Sequence, residues 1–231
     1  MASAVEIKVL SSNAMREALL ELIPLFERAS GHKVAITFVG GVDVMKRVAA
    51  GETCDLVIMA RAPIDQLIEQ GKLVAGGRVD LVRSETGVAV RAGAPRPDIS
   101  SAEAIKRTLL AAKSVACSSG PSGAYLARRF ERMGIADALK GKIVSAPPGV
   151  PVGALIVRGD AEIGFQQISE LMPVAGIDLL GPLPPDIQEI TIFSGGIHAA
   201  AKQPAAAAAL VEFITSPGAA PIIRKKGLQP A

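Results

Sequence analysis

Tryptophan is absent from this 231-residue chain, tyrosine occurs once, and aromatic residues make up only 3% of it. Its 25 basic and 22 acidic residues are scattered and leave a net charge of +3. With neither a basic stripe nor stacking side chains, no nucleic-acid partner is expected. Two cysteines, Cys54 and Cys117, stand far apart in no metal-like spacing and read as buried thiols, so no metal or cofactor is expected. No apolar run reaches the roughly 18 residues needed to cross a bilayer. The opening "MASAVEIKVLSS" enters a strand pattern without the basic segment, long apolar stretch and cleavage site of a leader. That start fits a cytoplasmic protein or a mature chain whose leader has been removed. Walker-type phosphate loops and nucleophile motifs are missing too, and catalytic residues stay unassigned.

What is present is a core and an alternation. A hydrophobic content of 49% suits one large domain or two modest lobes. "EIKVLSS" reads as a strand, and the following segment places Met15, Leu19, Leu22, Ile23 and Phe26 at helical spacing before Gly31. "KVAITFVGG", "VDVMKRVAAGE", "CDLVIMA" and "APIDQLIEQGKLV" continue as strand, helix, strand and helix. After "LVRSETGVAVRAGAPRPDI" the grammar restarts, through "SVACSS", "SGAYLARRFERMG", "KIVSAP", "VPVGALIVRGD" and "EIGFQQ". Such a series predicts two α/β lobes with parallel sheets flanked by helices. "GPLPPDIQEITIFSGGIHAA" reads as a return passage, and closing helices follow, the alanine run at 205–209 being an ordinary helix.

Small polar residues or glycines stand at four strand ends, each just before a helix. They are Ser11, Ser12 and Asn13; Gly40 and Gly41; the segment 118–123 with Ser119, Ser122 and Gly123; and the segment 147–153 with Val150 and Pro151. Helix N-termini present unpaired N–H groups and the positive end of the dipole, and ligands of open α/β sheets lie beyond the carboxyl ends of the strands. The segment 118–123 therefore reads as half of a ligand cradle; ordinary capping, with Ser122 serving its own helix, is the structural alternative.

The order of "VLSSNAMREALLELIPLFERASGHKVAITFVGG", "VAAGETCDLVIMA", "QLIEQGKL", "GPSGAYLARRFERMGI", "GALIVRGDAEIGF" and "FITSPGAAPIIRKKGLQP" resembles the type II periplasmic solute-binding proteins, and within them the molybdate-binding branch. The resemblance covers nearly the whole chain. It implies an α/β protein of two Rossmann-like lobes joined by two crossover strands. Lobe 1 would be residues 1–82 and 191–231 and lobe 2 residues 83–190, with a small anionic ligand held in a cleft between them. It further implies a monomer, a periplasmic location after leader removal, and an ABC transporter permease as partner.

Carried over residue by residue, the branch's first serine falls at Ala14, beside Ser11, Ser12 and Asn13, and its second serine cluster falls on Gly40 and Gly41. Its "P-x-G-x-Y" segment is similar to the stretch holding Ser122, Gly123, Ala124 and Tyr125; its valine falls at Val150, and its late tyrosine is replaced by Gln166 or Gln167. A dianion held by neutral donors needs nearly all of them, because unpaired buried charge costs several kcal/mol. The departures therefore favour an organic carboxylate over a molybdate-type oxyanion. Arg61, after the third strand, and Arg83, in the implied crossover, could fork onto such a carboxylate. Asp43 reads as a local charge at a helix start. The same scaffold carries isomerases of unsaturated tricarboxylates, so an isomerase of a small unsaturated carboxylate such as aconitate is the alternative to a solute carrier. That chemistry needs a base, yet His32 and His198 read as structural.

Overall fold

The computed structural model describes residues 4–147 and 149–231. The first strand, β1 (Glu6–Ser12), runs through a single 3-10 turn into α1 (Arg16–Ser30). Leu19, Leu22, Ile23 and Phe26 form the buried face of α1, and Gly31 ends it in the left-handed region at φ 77° with its N–H on the Glu27 carbonyl. Pro24 lies within α1 on its exposed side, where its missing N–H leaves no buried group unpaired. Then come β2 (Lys33–Val39), α2 (Gly41–Ala49), β3 (Leu56–Ala60), α3 (Arg61–Glu69) and β4 (Val79–Ser84).

The second series runs β5 (Thr86–Arg91), α4 (Ala102–Ala111), β6 (Val115–Cys117), α5 (Pro121–Arg132), α6 (Ala136–Leu139), β7 (Ile143–Ser145), α7 (Val152–Arg158), β8 (Ile163–Gln167), α8 (Ile168–Leu171) and β9 (Ile177–Pro182). The chain then returns through β10 (Thr191–Ile197), α9 (Pro204–Thr215), α10 (Ala220–Lys225) and β11 (Leu228–Pro230). Two compact units result, Met1–Arg83 with Ile192–Ala231 and Ser84–Thr191.

The first unit holds a sheet in the order β11-β4-β10-β3-β1-β2, and the second holds β7-β6-β8-β5-β9. Neither sheet is purely parallel. β10 runs antiparallel to β3, and β5 runs antiparallel to both β8 and β9. The parallel expectation thus holds for the β-α-β runs of β1, β2 and β3 and of β6, β7 and β8. It fails for strands reached without a helical crossover, since β5 follows β4 after one residue and returns beside β8.

Each sheet is covered on both faces. Leu19, Leu22, Leu56, Phe193, Leu210 and Ile214 fill one side of the first, while Val44, Val57, Met59, Ile64 and Leu67 fill the other. Hence β3, "LVIMA", is buried throughout and reads as an unbroken apolar run. In the second unit Leu109, Leu126, Phe130 and Phe165 pack one face, and Val152, Leu155, Ile156 and Leu171 the other. One buried charge anchors the first unit: the Asp55 carboxylate accepts N–H bonds from Lys8, Lys202 and Gln203 at 2.8, 2.7 and 2.8 Å. It thereby ties β1 to the start of α9 and satisfies its own desolvated oxygens.

Candidate functional site

In the first unit the carboxyl ends of β1 and β2 lie side by side, with Ser12 opposite Val39. Ser11 donates its hydroxyl to the Ser12 carbonyl at 3.1 Å. The Ser12 hydroxyl is buried and has no partner among the described residues. Next to it Gly40 begins α2 without a side-chain cap, and its carbonyl takes the N–H groups of Asp43 and Val44. Gly41 and Val42 are left as the unbonded donors of that helix end. A Cβ on Gly41 would lie 4.0 Å from the Ser12 Cβ, so the two loops abut. An unused hydroxyl and the N–H groups of the first helical residues thus stand together at the positive end of a nine-residue helix, an arrangement that favours negative charge. Asn13 begins the adjoining 3-10 turn.

The two arginines differ. Arg61 stands at the start of α3, but its guanidinium lies 3.5 Å from Asp80, which also accepts the Ser194 hydroxyl at 2.7 Å and neighbours Arg78. Arg83, in contrast, is exposed on β4 with no carboxylate paired to it among the described residues.

The second unit uses most of its loop donors internally. Ser118 Oγ lies 2.8 Å from Ser122 Oγ and accepts the N–H groups of Gly120 and Gly123 at 3.3 Å each. The Gly120 carbonyl takes the Ala124 N–H. Gly123 is glycine because any Cβ there would sit 1.7 Å from the Ser118 carbonyl oxygen. Tyr125 donates its hydroxyl to the Ile187 carbonyl, and its ring packs with Leu126 and Phe130; Ser119 is exposed. In the loop before α7, whose Pro148 lies outside the described residues, Val150 donates to the Pro147 carbonyl and Pro151 has no N–H. The Val152 N–H is taken by Gln166 Oε1 at 2.8 Å.

Polar groups without partners gather instead after β8. Gln167 Nε2 donates to Thr191 Oγ1 at 3.0 Å, but its Oε1 is buried and, like the Ser169 hydroxyl, has no partner among the described residues. On the one-turn helix α8, close to the Gln166 side chain, stands Glu170, which the sequence reading missed. Burial pushes its carboxyl up to about 7, with the Gln166 side chain pulling weakly the other way. A signal was available, since Glu170 is the one charged residue between Glu162 and Asp178, in "IGFQQISELMPVAGI".

Other titratable groups stand elsewhere. Ile197 pairs opposite Leu56, so His198 leaves the sheet at the amino ends of the parallel strands, and His32, just before β2, lies at that same edge. Burial lowers the His198 pKa. The thiols of Cys54 and Cys117 are buried and pushed up to about 12, which keeps them protonated and unreactive.

The fold is that of the type II periplasmic binding proteins. The chain superposes on the molybdate-binding protein of Azotobacter vinelandii with a TM-score of 0.79 and 20% identity, covering 96% of this chain and 98% of that one. With the sulfate-binding protein of Mycobacterium tuberculosis the TM-score is 0.78 and the identity 17%, over 98% and 87% of the two chains. The family model for bacterial extracellular solute-binding proteins matches residues 7–229, and the chain belongs to that family. Among curated relatives, it is 40% identical over 228 residues to an aconitate isomerase from a Pseudomonas species, covering 96% of this chain and 87% of that protein. It is 24% identical over 241 residues to the molybdate-binding protein of A. vinelandii, covering 98% and 90%.

Proposed function

We propose that this chain binds a small unsaturated polycarboxylate of the aconitate class and moves its double bond. The observation that carries the binding half is the unpartnered, buried Ser12 hydroxyl beside the free N–H groups of Gly41 and Val42. These neutral donors suit one carboxylate oxygen. Further carboxylates of the same ligand would be met by Asn13 and Arg83 of the same unit. Arg61, whose charge is already balanced by Asp80, would contribute less.

The turnover half is supported by the relative that is 40% identical and named an aconitate isomerase. The reaction is a proton shift. A base takes a proton from the CH2 next to one carboxylate, the double bond migrates toward that carbon, and a proton returns to the former vinyl carbon. Fixed donors receive the negative charge that develops on the carboxylates.

Simple delivery of the anion to an ABC permease is the second reading, favoured by the family match. An extracytoplasmic site of action, periplasmic after leader removal, goes with either reading.

A panel of cis-aconitate, trans-aconitate, citrate, molybdate and tungstate in a thermal-shift assay tests the binding, with proton NMR of every positive mixture. At 100 times the dissociation constant a ligand adds about 2.7 kcal/mol of stability. Stabilisation by the aconitates with new NMR signals is the expected result. Stabilisation with unchanged spectra would favour the carrier reading, and a response to molybdate or tungstate alone would overturn the carboxylate assignment.

A further inference from the structure

We infer that His198 is a proton-operated latch: as a neutral ring it closes the seam that joins β10 to α9, and a proton taken up on its Nδ1 opens that seam. The latch lies wholly within the first unit and depends on neither the ligand nor the isomerase reading. It is built where the chain leaves β10. Ile197 ends that strand and its carbonyl takes the Val74 N–H at 2.9 Å; the His198 N–H then donates to the Asp55 carbonyl at 3.1 Å, and the Ala199 N–H to the Lys72 carbonyl at 2.9 Å. The turn that follows is closed by a side chain, for His198 Nδ1 accepts the Ala200 N–H at 3.0 Å. Lys202 and Gln203 donate to Asp55 Oδ1, and Gln203, the residue before α9, gives that helix no side-chain cap of its own. The entry of α9 is thus held by the side chains of Asp55 and His198.

The protonation state of the ring follows from those bonds. An imidazole nitrogen that accepts an N–H carries no proton, so the proton of the neutral ring is on Nε2, which is buried and has no partner among the described residues. Protonation would put a second N–H where the Ala200 N–H already points. Two donors would then face each other at a ring that is 5% exposed, and one of them must turn away. Ala200 stands two residues from the ring and two from Lys202, so its release loosens the bonds to Asp55 as well.

The surroundings favour the neutral ring. Burial comes first in lowering the His198 pKa and Lys72 adds to it, while the Glu52 carbonyl and the Asp55 carboxylate pull the other way. The charged and titratable groups of the segments around the seam are Lys8 on β1, Glu52, Cys54 and Asp55 in the approach to β3, Lys72 in the loop between α3 and β4, and Lys202 on the seam itself. Glu52 is taken by Arg47 at 2.6 Å, Asp55 is occupied by three N–H groups, Cys54 stays a thiol, and the two lysines Lys8 and Lys202 are exposed. No uncommitted carboxylate stands among them to hold an imidazolium.

The test is amide hydrogen exchange on the full chain between pH 8 and pH 5, read residue by residue by NMR and corrected for the intrinsic pH dependence of exchange. In the wild type, protection of the Ala200, Lys202 and Gln203 amides should fall by up to about tenfold per pH unit below 6.5, because the closed seam binds the proton less well than the open one. At low denaturant this exchange should not depend on denaturant, the mark of a local opening, whereas that of the core amides Leu22 and Val57 should. His198→Asn keeps an acceptor, Oδ1, within reach of the N–H two residues on but takes no proton, so its seam should stay protected down to pH 5. His198→Ala, with no acceptor, should leave the Ala200 amide unprotected at every pH.

Protection that is flat with pH in the wild type, or that falls equally in His198→Asn, would overturn the latch. So would seam exchange as dependent on denaturant as that of the core, since the seam would then open only with the whole unit. Should His198→Asn fail to fold, the ring itself decides: its NMR titration in the wild type is expected to show the Nε2–H tautomer and a midpoint below 6.5. The other tautomer, or a midpoint at or above 6.5, would overturn the assignment.

Discussion

The strand ends of the two units are built from the same kinds of residue and end in different states. At the end of β1, Ser12 keeps its hydroxyl unpartnered beside a helix that begins on Gly40 with free N–H groups. At the end of β6, Ser118 has already collected the Gly120 and Gly123 N–H groups and the Ser122 hydroxyl, so its oxygen occupies the place an anion would take. One cradle is open and the other is filled by its own loop. A serine and a glycine before a helix therefore say little about ligand binding until the partners of each donor are known, because capping and anion binding use the same N–H groups.

The sharpest way to break this comparison is to add one carbon to each cradle. Gly123→Ala would drive its Cβ into the Ser118 carbonyl, and it should cost about 3 kcal/mol or more of stability, read as a lowered denaturant midpoint. Gly41→Ala meets only the Ser12 Cβ at ordinary contact distance, so it should fold normally while weakening anion binding. Equal losses of stability in both would show that the open cradle is a structural turn.

Next in size is the pH dependence carried by Glu170. Its pKa is raised on folding, so its contribution is present below the unfolded value of 4.5 and is lost as pH rises through about 7. The loss corresponds to up to about 3 kcal/mol. Glu170→Gln should thus raise the melting temperature at pH 8 and leave it nearly unchanged at pH 4. The buried His198 has the opposite sign: its lowered pKa removes stability as pH falls below 6.5. A Glu170→Gln chain should therefore keep the acid-side loss and be relieved of the other.

Smaller effects separate the two serines. Ser12→Ala removes a hydroxyl without a partner and should leave stability within about 1 kcal/mol, while weakening the binding of cis-aconitate by about tenfold to a hundredfold in a titration. Ser122→Ala breaks the bond to Ser118, costs about 1 kcal/mol, and should change affinity little. Smallest of all is Arg61→Ala, which removes a half-exposed ion pair with Asp80 and should cost no more than about 1 kcal/mol. A large loss of affinity in Arg61→Ala would mean that its guanidinium leaves Asp80 for the ligand.

The sequence by itself determined the alternation of strands and helices and the composition of both cores, because these depend on local periodicity. Met15, Leu19, Leu22, Ile23 and Phe26 repeat at helical spacing, and all are buried. It also determined that small polar residues or glycines end the strands at Ser11 and Ser12, at Gly40 and at Ser118 and Ser119, and that glutamines end one at Gln166 and Gln167. Only the tertiary structure decided which of these groups remain free. Tyr125 finds Ile187 62 positions away, Gln166 finds Val152 14 away, and Asp80 finds Ser194 114 away. Such partners are set by how strands pair and helices pack, not by spacing along the chain. The direction of β5 and β10 and the raised pKa of Glu170 arose in the same way. A strand's direction is settled by the neighbour it finds, and a carboxyl changes its pKa only when folding removes water from it.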